Sequence, residues 1–228
     1  ARCLPFLCAS LPLFAAEKLQ SPIIVFMIGG PGCGKAVQSS RMAVKYNFYH
    51  IAIGELLREE SSRATNKGKA IRDILLKGTL VPSVRSLTAL LCRIRVHQKN
   101  VSGFIIEGFP REINQAKLFE EVVGRLPNIV IVFDCSTETM IQRLLIRGQM
   151  GGRVDDHERI IRQRLETHYS LCEPVLTHYL QKSILRNVGF HEPGWAPGLS
   201  SHSRRSQAGQ GLAAWQQAEQ LCSDAILL

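Results

Sequence analysis

The chain has 228 residues, 45% of them apolar, and a formal net charge of +9. This length and composition suit a single domain with a substantial hydrophobic core. Seven cysteines, an odd number without a C-x-x-C pair, favour reduced thiols in the cytoplasm over a disulfide framework or a zinc site. No segment approaches the roughly 20 apolar residues that span a bilayer, so we expect no membrane partner.

The distribution of charge separates the middle of the chain from both ends. The whole positive excess lies in residues 21–188, where no aromatic side chains alternate with the charges. This pattern favours a small anionic substrate over nucleic acid. Residues 1–20 form an extension that we leave unassigned. Residues 189–228 begin with a linker rich in Gly, Pro and Ser, which predicts a largely disordered tail.

Within that tail, apolar residues recur at helical spacing. They are Leu212, Trp215, Ala218, Cys222 and Ala225. Two interpretations stay open, namely a makeshift helix that covers the sheet of the domain and a segment without fixed structure. In both cases we place the domain itself in residues 21–188.

The most informative segment of the middle region is a glycine-rich loop. The apolar run Ile23–Ile28 is followed by GGPGCGK, which ends at Lys35. A buried strand that ends in glycines and then opens a helix presents backbone N–H groups to an anion. Loops of the form G-x-x-x-x-G-K-[ST] add a hydroxyl near Mg²⁺, but here Ala36 and Val37 follow the lysine. The sequence therefore predicts a phosphate loop without that hydroxyl.

Strand and helix patterns alternate from Ile23 to Val188. Apolar periodicity predicts helices at Lys35–Tyr46, Gly54–Ser61, Lys67–Lys77 and Ser83–Gln98, and further helices from Ile113 and from Thr137. Gly103–Glu107 and Asn128–Asp134 are predicted strands that end in a carboxylate. Such alternation predicts an α/β fold with a parallel sheet that is covered on both faces and binds ligands at the carboxyl ends of its strands.

A second concentration of charge lies after residue 140. Glycines at 148, 151 and 152 are predicted to end one helix before Asp155-Asp156 opens the next. Three arginines lie on both sides of this glycine segment, Arg147, Arg153 and Arg164. Their placement predicts a mobile lid that closes over phosphate, whereas Arg159 and Arg162 are interpreted as part of a solvated helix face.

Five motifs occur in the order in which nucleoside monophosphate kinases carry them. They are GGPGCGK from Gly29, HIAIGELLR from His50, LVP from Leu80, EGFPRE from Glu107 and GRVDD from Gly152. Over Ile23–Val188 the chain resembles the short-lid, cytosolic members of the adenylate kinase family. The resemblance implies a P-loop kinase fold with a five-stranded parallel sheet flanked by helices. It also implies a small monophosphate-binding helical insert at residues 52–81 and a short lid at residues 146–156.

The same resemblance implies a phosphotransferase that moves the ATP γ-phosphoryl reversibly to a nucleoside monophosphate, with Mg²⁺. The resemblance favours AMP as the acceptor (ATP + AMP = 2 ADP). The expected partners are therefore nucleotides. We also expect the chain to be a monomer. The implied ATP-binding residues are Gly32, Cys33, Gly34, Lys35, Ala36, Val37 and Arg147. The implied AMP-binding residues are Ile53, Arg58, Thr79, Leu80, Val81, Gly108, Phe109, Pro110, Arg111, Gln115, Arg153 and Arg164.

The implied catalytic residues are Lys35, Arg147, Arg153 and Arg164, while Glu107 would orient metal-bound water. Phosphoryl transfer needs the alignment of two anions and the stabilisation of spread negative charge. Arginine suits this task because its guanidinium fork binds phosphate oxygens in pairs and keeps its charge at any working pH.

Several departures from the family pattern leave alternatives open. The family has Gly-Thr where this chain has Ala36-Val37, Asp where Glu107 stands, and Thr where Ile53 stands. The resemblance also ends after Val188. One alternative is a nucleotide-binding module that has lost catalysis, which Val37 and the tail favour. Another is a UMP/CMP-type kinase, which Ile53 favours and the segment Arg111–Gln115 disfavours.

Overall fold

The computed structural model describes residues 22–150, 153, 155–189 and 220. The expectations for residues 1–20 and for the segment around Trp215 lie outside these residues. The described strands are β1 (Ile23–Gly29), β2 (Phe48–Ala52), β3 (Gly103–Glu107), β4 (Ile129–Asp134) and β5 (Leu185–Gly189). The described helices are α1 (Lys35–Tyr46), α2 (Ile53–Ser61), α3 (Asn66–Leu76), α4 (Ser83–His97), α5 (Ile113–Val123), α6 (Thr137–Gln149) and α7 (Glu158–Gln181).

The five strands form one parallel sheet in the order β2-β3-β1-β4-β5. The register pairs Met27 with Glu107 and Gly29 with Phe133. The carboxyl ends of the three central strands therefore meet at the edge where the glycine loop begins. This arrangement confirms the predicted α/β fold with a parallel sheet between helices.

Alternate residues of β1 pack into two different cores. Ile24 and Phe26 belong to a core that includes side chains of α4, α5 and α7, whereas Val25 and Met27 belong to a core with side chains of α1 and α6. Helix α7 contributes to both cores, with Leu165 in the second and Val175 in the first. Helix α7 therefore packs against both cores, and this packing fixes the positions of its side chains.

Strand β2 is absent from the sequence prediction, which has only the helix from Gly54. The strand lies at the edge of the sheet and pairs with β3 alone, so only Phe48 and Ile51 of its five residues are buried. The half-buried Tyr49 and His50 interrupt the apolar run by which buried strands are recognised. Helix α2 begins directly after this strand, at Ile53.

The prediction for the lid segment is wrong in two respects. Gly148 lies inside α6, which ends at Gln149, and α7 begins at Glu158 rather than at Asp155-Asp156. A Cβ atom on Gly148 would lie 2.7 Å from the carbonyl oxygen of Asp156, so the glycine allows close packing rather than ending the helix. No helix in the described part of the chain is long and apolar enough to cross a membrane.

Candidate active site

The loop between β1 and α1 depends on glycine. Gly32 and Gly34 have φ angles of 84° and 95°, a region that other residues rarely adopt. A Cβ atom on Gly32 would also lie 2.8 Å from the carbonyl oxygen of Met140 on α6. Gly34 caps α1, whose first backbone N–H groups have no partners within the helix and can bind an anion.

Lys35 is held across this loop by backbone groups. Its Nζ atom donates to the carbonyl oxygens of Gly29 and Gly30, both at 2.7 Å, and lies 3.3 Å from Sγ of Cys33. The side chain is 9% exposed, yet it lines the adjoining cavity. These acceptors are neutral carbonyls, so no carboxylate cancels the charge of the ammonium group at this point.

A cavity of about 290 Å³ opens beside the loop and extends to α2, the segment after α3, the end of β3 and the lid arginines. It is lined by most of the residues that the family resemblance implied: Gly32, Gly34, Lys35, Ala36, Val37, Ile53, Arg58, Thr79, Leu80, Val81, Glu107, Gly108, Pro110, Arg111, Gln115, Arg147, Arg153 and Arg164. Residues from seven separate stretches of the chain thus meet at one site. Their individual roles toward nucleotides stay predictions.

Cys33 and Phe109 are absent from the residues that line the cavity, and the nucleotide contacts expected at these two positions stay predictions. The side chain of Cys33 is fully buried in the core that contains Val25 and Met27. The ring of Phe109 packs edge-on against Phe26, with centroids 5.8 Å apart. Both side chains hold neighbouring cavity residues in place through packing, a role that a motif match does not distinguish from ligand contact.

Two buried carboxylates organise the lid arginines. Asp156 binds Arg147 through two bonds, with Nε to Oδ2 at 2.5 Å and Nη2 to Oδ1 at 2.8 Å. Nη1 of Arg164 lies 3.0 Å from both Asp155 Oδ2 and Asp156 Oδ1. Burial alone would raise the pKa of Asp156, but the hydrogen bond and charge of Arg147 and the charge of Arg164 outweigh burial and lower it. The hydrogen bond that Arg147 donates to Asp156 in turn raises the pKa of Arg147.

Two further ion pairs connect the lid segment to α2. Nη1 of Arg58 on α2 lies 3.4 Å from Oδ2 of Asp155, and Arg153 pairs with Glu55 of α2. Glu55 also lies 3.1 Å from Nη2 of Arg58. These carboxylates therefore occupy the arginines that are predicted to bind phosphate.

Arg111 differs from these arginines because it has no ion-pair partner among the described residues. Its Nε donates to the Gly108 carbonyl at 3.0 Å, and its backbone N–H donates to Oε1 of Gln115 at 2.9 Å. Desolvation by the surrounding protein, with repulsion from Arg164 and Arg58, lowers the pKa of Arg111 to about 10, so it stays charged at neutral pH. A cluster of cations with one member uncompensated is suited to bind an anion.

Glu107 is the carboxylate at the end of β3. Its Oε2 lies 2.9 Å from Nε2 of His50, whose Nδ1 lies 3.5 Å from the Ser40 hydroxyl. Burial alone would raise the pKa of Glu107, but the hydrogen bond with His50 and the charge of Lys35 outweigh burial, so the net pKa is lowered. No three His, Cys, Asp or Glu side chains of the described residues form a metal cluster. One ionised carboxylate nevertheless suits a Mg²⁺ ion that receives its other ligands from phosphates and water.

His168 and Ser86 are two of the cavity residues that the sequence-based site does not include. His168 lies on α7 one turn after Arg164, and its Cδ2 would lie 3.4 Å from a Cβ atom on Gly30. Desolvation and the charges of Lys35 and Arg111 lower the pKa of His168 to about 4. The spacing of four from Arg164 was the signal available in the sequence. Ser86 on α4 also lines the cavity, and a single serine in a helix gives no such signal.

Comparisons with known proteins identify the family of the chain. The family model described as adenylate kinase matches residues 27–184. Adenylate kinase isoenzyme 1 of Homo sapiens is 43% identical over 173 residues, which cover 75% of this chain and 88% of the human protein. The Sus scrofa isoenzyme 1 is 41% identical over 172 residues, with the same coverage of 75% and 88%. Adenylate kinase isoenzyme 5 of Mus musculus is 42% identical over 172 residues, or 75% of this chain and 30% of that protein. The chain therefore belongs to the adenylate kinase family of nucleoside monophosphate kinases.

Proposed function

We propose that the chain transfers the γ-phosphoryl group of ATP reversibly to AMP, as a monomer in the cytoplasm. The observation that carries this proposal is the meeting of Lys35, Arg111 and the lid arginines in one cavity. A phosphoryl group in transfer spreads negative charge over its oxygens, and fixed cations around it stabilise that charge. Relatives named adenylate kinase isoenzyme 1 support AMP as the acceptor.

In this proposal, one end of the cavity binds ATP and the other end binds the acceptor nucleotide. The loop before α1 binds the ATP phosphates through its backbone, and Lys35 follows the phosphoryl group between donor and acceptor. Arg58 and Arg111 hold the acceptor phosphate, because a Cβ atom on Gly54 would lie 3.0 Å and 3.5 Å from one Nη2 atom of each. Their guanidinium groups thus converge above a residue that has no side chain.

The lid arginines must exchange partners before transfer. Arg147 and Arg164 give up contacts with Asp156, and Arg153 gives up Glu55, when phosphates enter. Charge-assisted bonds to phosphate replace bonds to carboxylate, so the exchange keeps each arginine satisfied.

Mg²⁺ enters this proposal with the nucleotide. Bound there, it neutralises phosphate charge and orients the phosphate chain. Glu107 is the residue that fits it, through a water molecule, because its carboxylate lines the cavity and its lowered pKa keeps it ionised. His50, which is not among the cavity residues, lies within hydrogen-bond distance of that carboxylate.

A pyrimidine monophosphate is the second candidate acceptor, and Ile53 favours it. This side chain lines the cavity, is 2% exposed, and offers no hydrogen bond to a base. Ile53→Thr distinguishes the candidates, because a hydroxyl at this position should lower KM for AMP about threefold without improving UMP or CMP.

A coupled assay with ATP and each nucleoside monophosphate tests the proposal on purified protein. We expect ADP formation with AMP at a higher kcat/KM than with GMP, CMP or UMP. Faster transfer to UMP or CMP would show that the acceptor is a pyrimidine monophosphate rather than AMP. An absence of transfer to every monophosphate, with ATP still bound in calorimetry, would support the nucleotide-binding module instead.

A further inference from the structure

Ser86 is a buried serine whose hydroxyl has no hydrogen-bond partner within the described residues. It lies in the first turn of α4, where its backbone N–H donates to the Pro82 carbonyl at 3.3 Å. The residue is 3% exposed, yet it lines the cavity. The hydroxyl is not among the fully buried polar atoms that lack a partner, so it stays open to the cavity. A ligand in the cavity can therefore form a hydrogen bond with it.

The position of Ser86 relative to Gln115 suggests which part of a ligand it meets. Ser83 donates a hydrogen bond to Glu112, which joins the starts of α4 and α5. Ser86 and Gln115 each follow one of these residues by three positions, so they lie one turn further on the same helix faces. Both residues line the same cavity.

Gln115 has a fixed orientation in this pair. Its Oε1 accepts from the backbone N–H of Arg111 at 2.9 Å, which leaves the amide NH₂ group to donate. The cavity lining also includes the buried apolar side chains of Ile53, Leu57 and Val81. Apolar walls with two convergent polar groups are typical of a pocket for a planar base.

We propose that the Ser86 hydroxyl and the Gln115 amide read the edge of the acceptor base together. The proposal rests on the proposed function, since it concerns the acceptor end of the same cavity. Gln115 donates to a ring nitrogen, and Ser86 accepts from the neighbouring exocyclic amino group of adenine. Ser86 on α4 thereby supplies a hydroxyl to the base, which Ile53 cannot do.

The loss of one such bond has a defined size and kinetic pattern. A neutral hydrogen bond is worth roughly a threefold to tenfold change in affinity. The base lies away from the transferring phosphoryl group, so its contacts are equal in the ground and transition states. Ser86→Ala should therefore raise KM for AMP by this factor and leave kcat unchanged.

Ser39 provides a matched control. It is also a buried helical serine whose hydroxyl has no partner among the described residues, but it does not line the cavity. Ser39→Ala makes the same chemical change and should leave KM for AMP unaltered. Ser86→Thr keeps the hydroxyl and should retain most of the affinity for AMP.

The experiment compares AMP with purine riboside 5′-monophosphate, which lacks the amino group. Kinetics and calorimetric Kd values are measured for wild type, Ser86→Ala, Ser86→Thr and Ser39→Ala, with thermal unfolding as a check on folding. We expect the analogue to bind wild type threefold to tenfold more weakly than AMP, and to bind Ser86→Ala as well as AMP does. Equal penalties for the missing amino group in wild type and Ser86→Ala would overturn the proposal.

The two proposals fail in different ways. If wild type binds AMP without forming ADP, the proposed transfer fails, while the calorimetric comparison still decides the role of Ser86. If wild type forms ADP from AMP and Ser86→Ala has an unchanged KM and Kd, only the assignment of Ser86 fails.

Discussion

The phosphate loop and the lid segment both present positive charge to one cavity, but they hold it differently. Lys35 is bound by two neutral carbonyls, whereas Arg147, Arg153 and Arg164 are bound by carboxylates. The loop therefore has a free charge ready for an anion, while the lid must exchange one anion for another. Mutations in the phosphate loop and in the lid segment should therefore have different effects.

The largest effect is expected at the preformed site. Lys35→Met should lower kcat by a factor on the order of 10³ or more, because no other group of the loop carries a charge toward the transferring phosphoryl. The initial rate of ADP formation measures this, and unfolding midpoints check the fold. Lys117→Met is the matched control, since Lys117 is exposed on α5. A turnover in Lys35→Met equal to that of the control would remove Lys35 from the mechanism.

A smaller effect is expected from restoring the hydroxyl that the loop lacks. Val37 is 55% exposed and lines the cavity beside Lys35. Val37→Thr should raise kcat roughly tenfold, because a hydroxyl returns to the environment of the metal and phosphates. The measurement is kcat at saturating MgATP and AMP. Val44→Thr on the exposed face of α1 repeats the substitution away from the cavity and should change nothing. An unchanged kcat in Val37→Thr would mean that another group already performs the role of the hydroxyl.

A substitution of Glu55 tests whether carboxylates compete with phosphate for the lid arginines. Glu55→Gln removes the carboxylate that holds Arg153, so nucleotide should bind more tightly, with KM lowered about twofold to fivefold. Unfolding free energy should change by less than about 1 kcal/mol, because Glu55 is exposed. Glu59→Gln removes an exposed carboxylate of the same helix that pairs with Arg63 and Arg93. If both variants leave KM unchanged, carboxylate competition does not limit binding.

The predictability of these two regions from sequence differs for a physical reason. The start of α1 at Lys35 and the limits of β3 follow from local glycine geometry and from a continuous apolar run, so sequence patterns predict them correctly. In the lid, Asp155 and Asp156 resemble helix caps by spacing, but they bind arginines from distant positions. Local pattern contains no information about those partners.

The same limit applies to single residues of the cavity. The arginines occur in motifs and could be predicted, whereas Ser86 and His168 are lone polar residues in helices. Phe109 lies in a motif, yet its ring packs against Phe26 rather than lining the cavity. Whether a side chain faces a core or a cavity depends on how helices pack, and periodicity alone does not determine it.

The last effect concerns the stability of the folded protein and how it depends on pH through His168. The folded protein lowers the pKa of this imidazole to about 4, below its value in the unfolded chain. The unfolded state therefore binds the proton first, and stability is lost as pH falls from about 6.5 toward 4, by at most about 1.4 kcal/mol per pH unit.

Urea unfolding at pH 7.5, 6 and 5 measures this loss as a difference between variants. His168→Tyr should lose less stability on acidification than wild type. His157→Tyr, at an exposed position before α7, should behave like wild type. An unchanged pH dependence in His168→Tyr would show that other groups cause the acid sensitivity.

The central claim is that one cavity binds two nucleotides and moves a phosphoryl group between them. Incubation of the purified protein with MgADP alone tests it most directly, because ADP must then occupy both ends of the cavity. Quantification by ³¹P NMR should find ATP and AMP forming in equal amounts, and Lys35→Met should form them more slowly by a factor on the order of 10³ or more. Release of inorganic phosphate, or no ATP from wild type at any ADP concentration, would contradict the account.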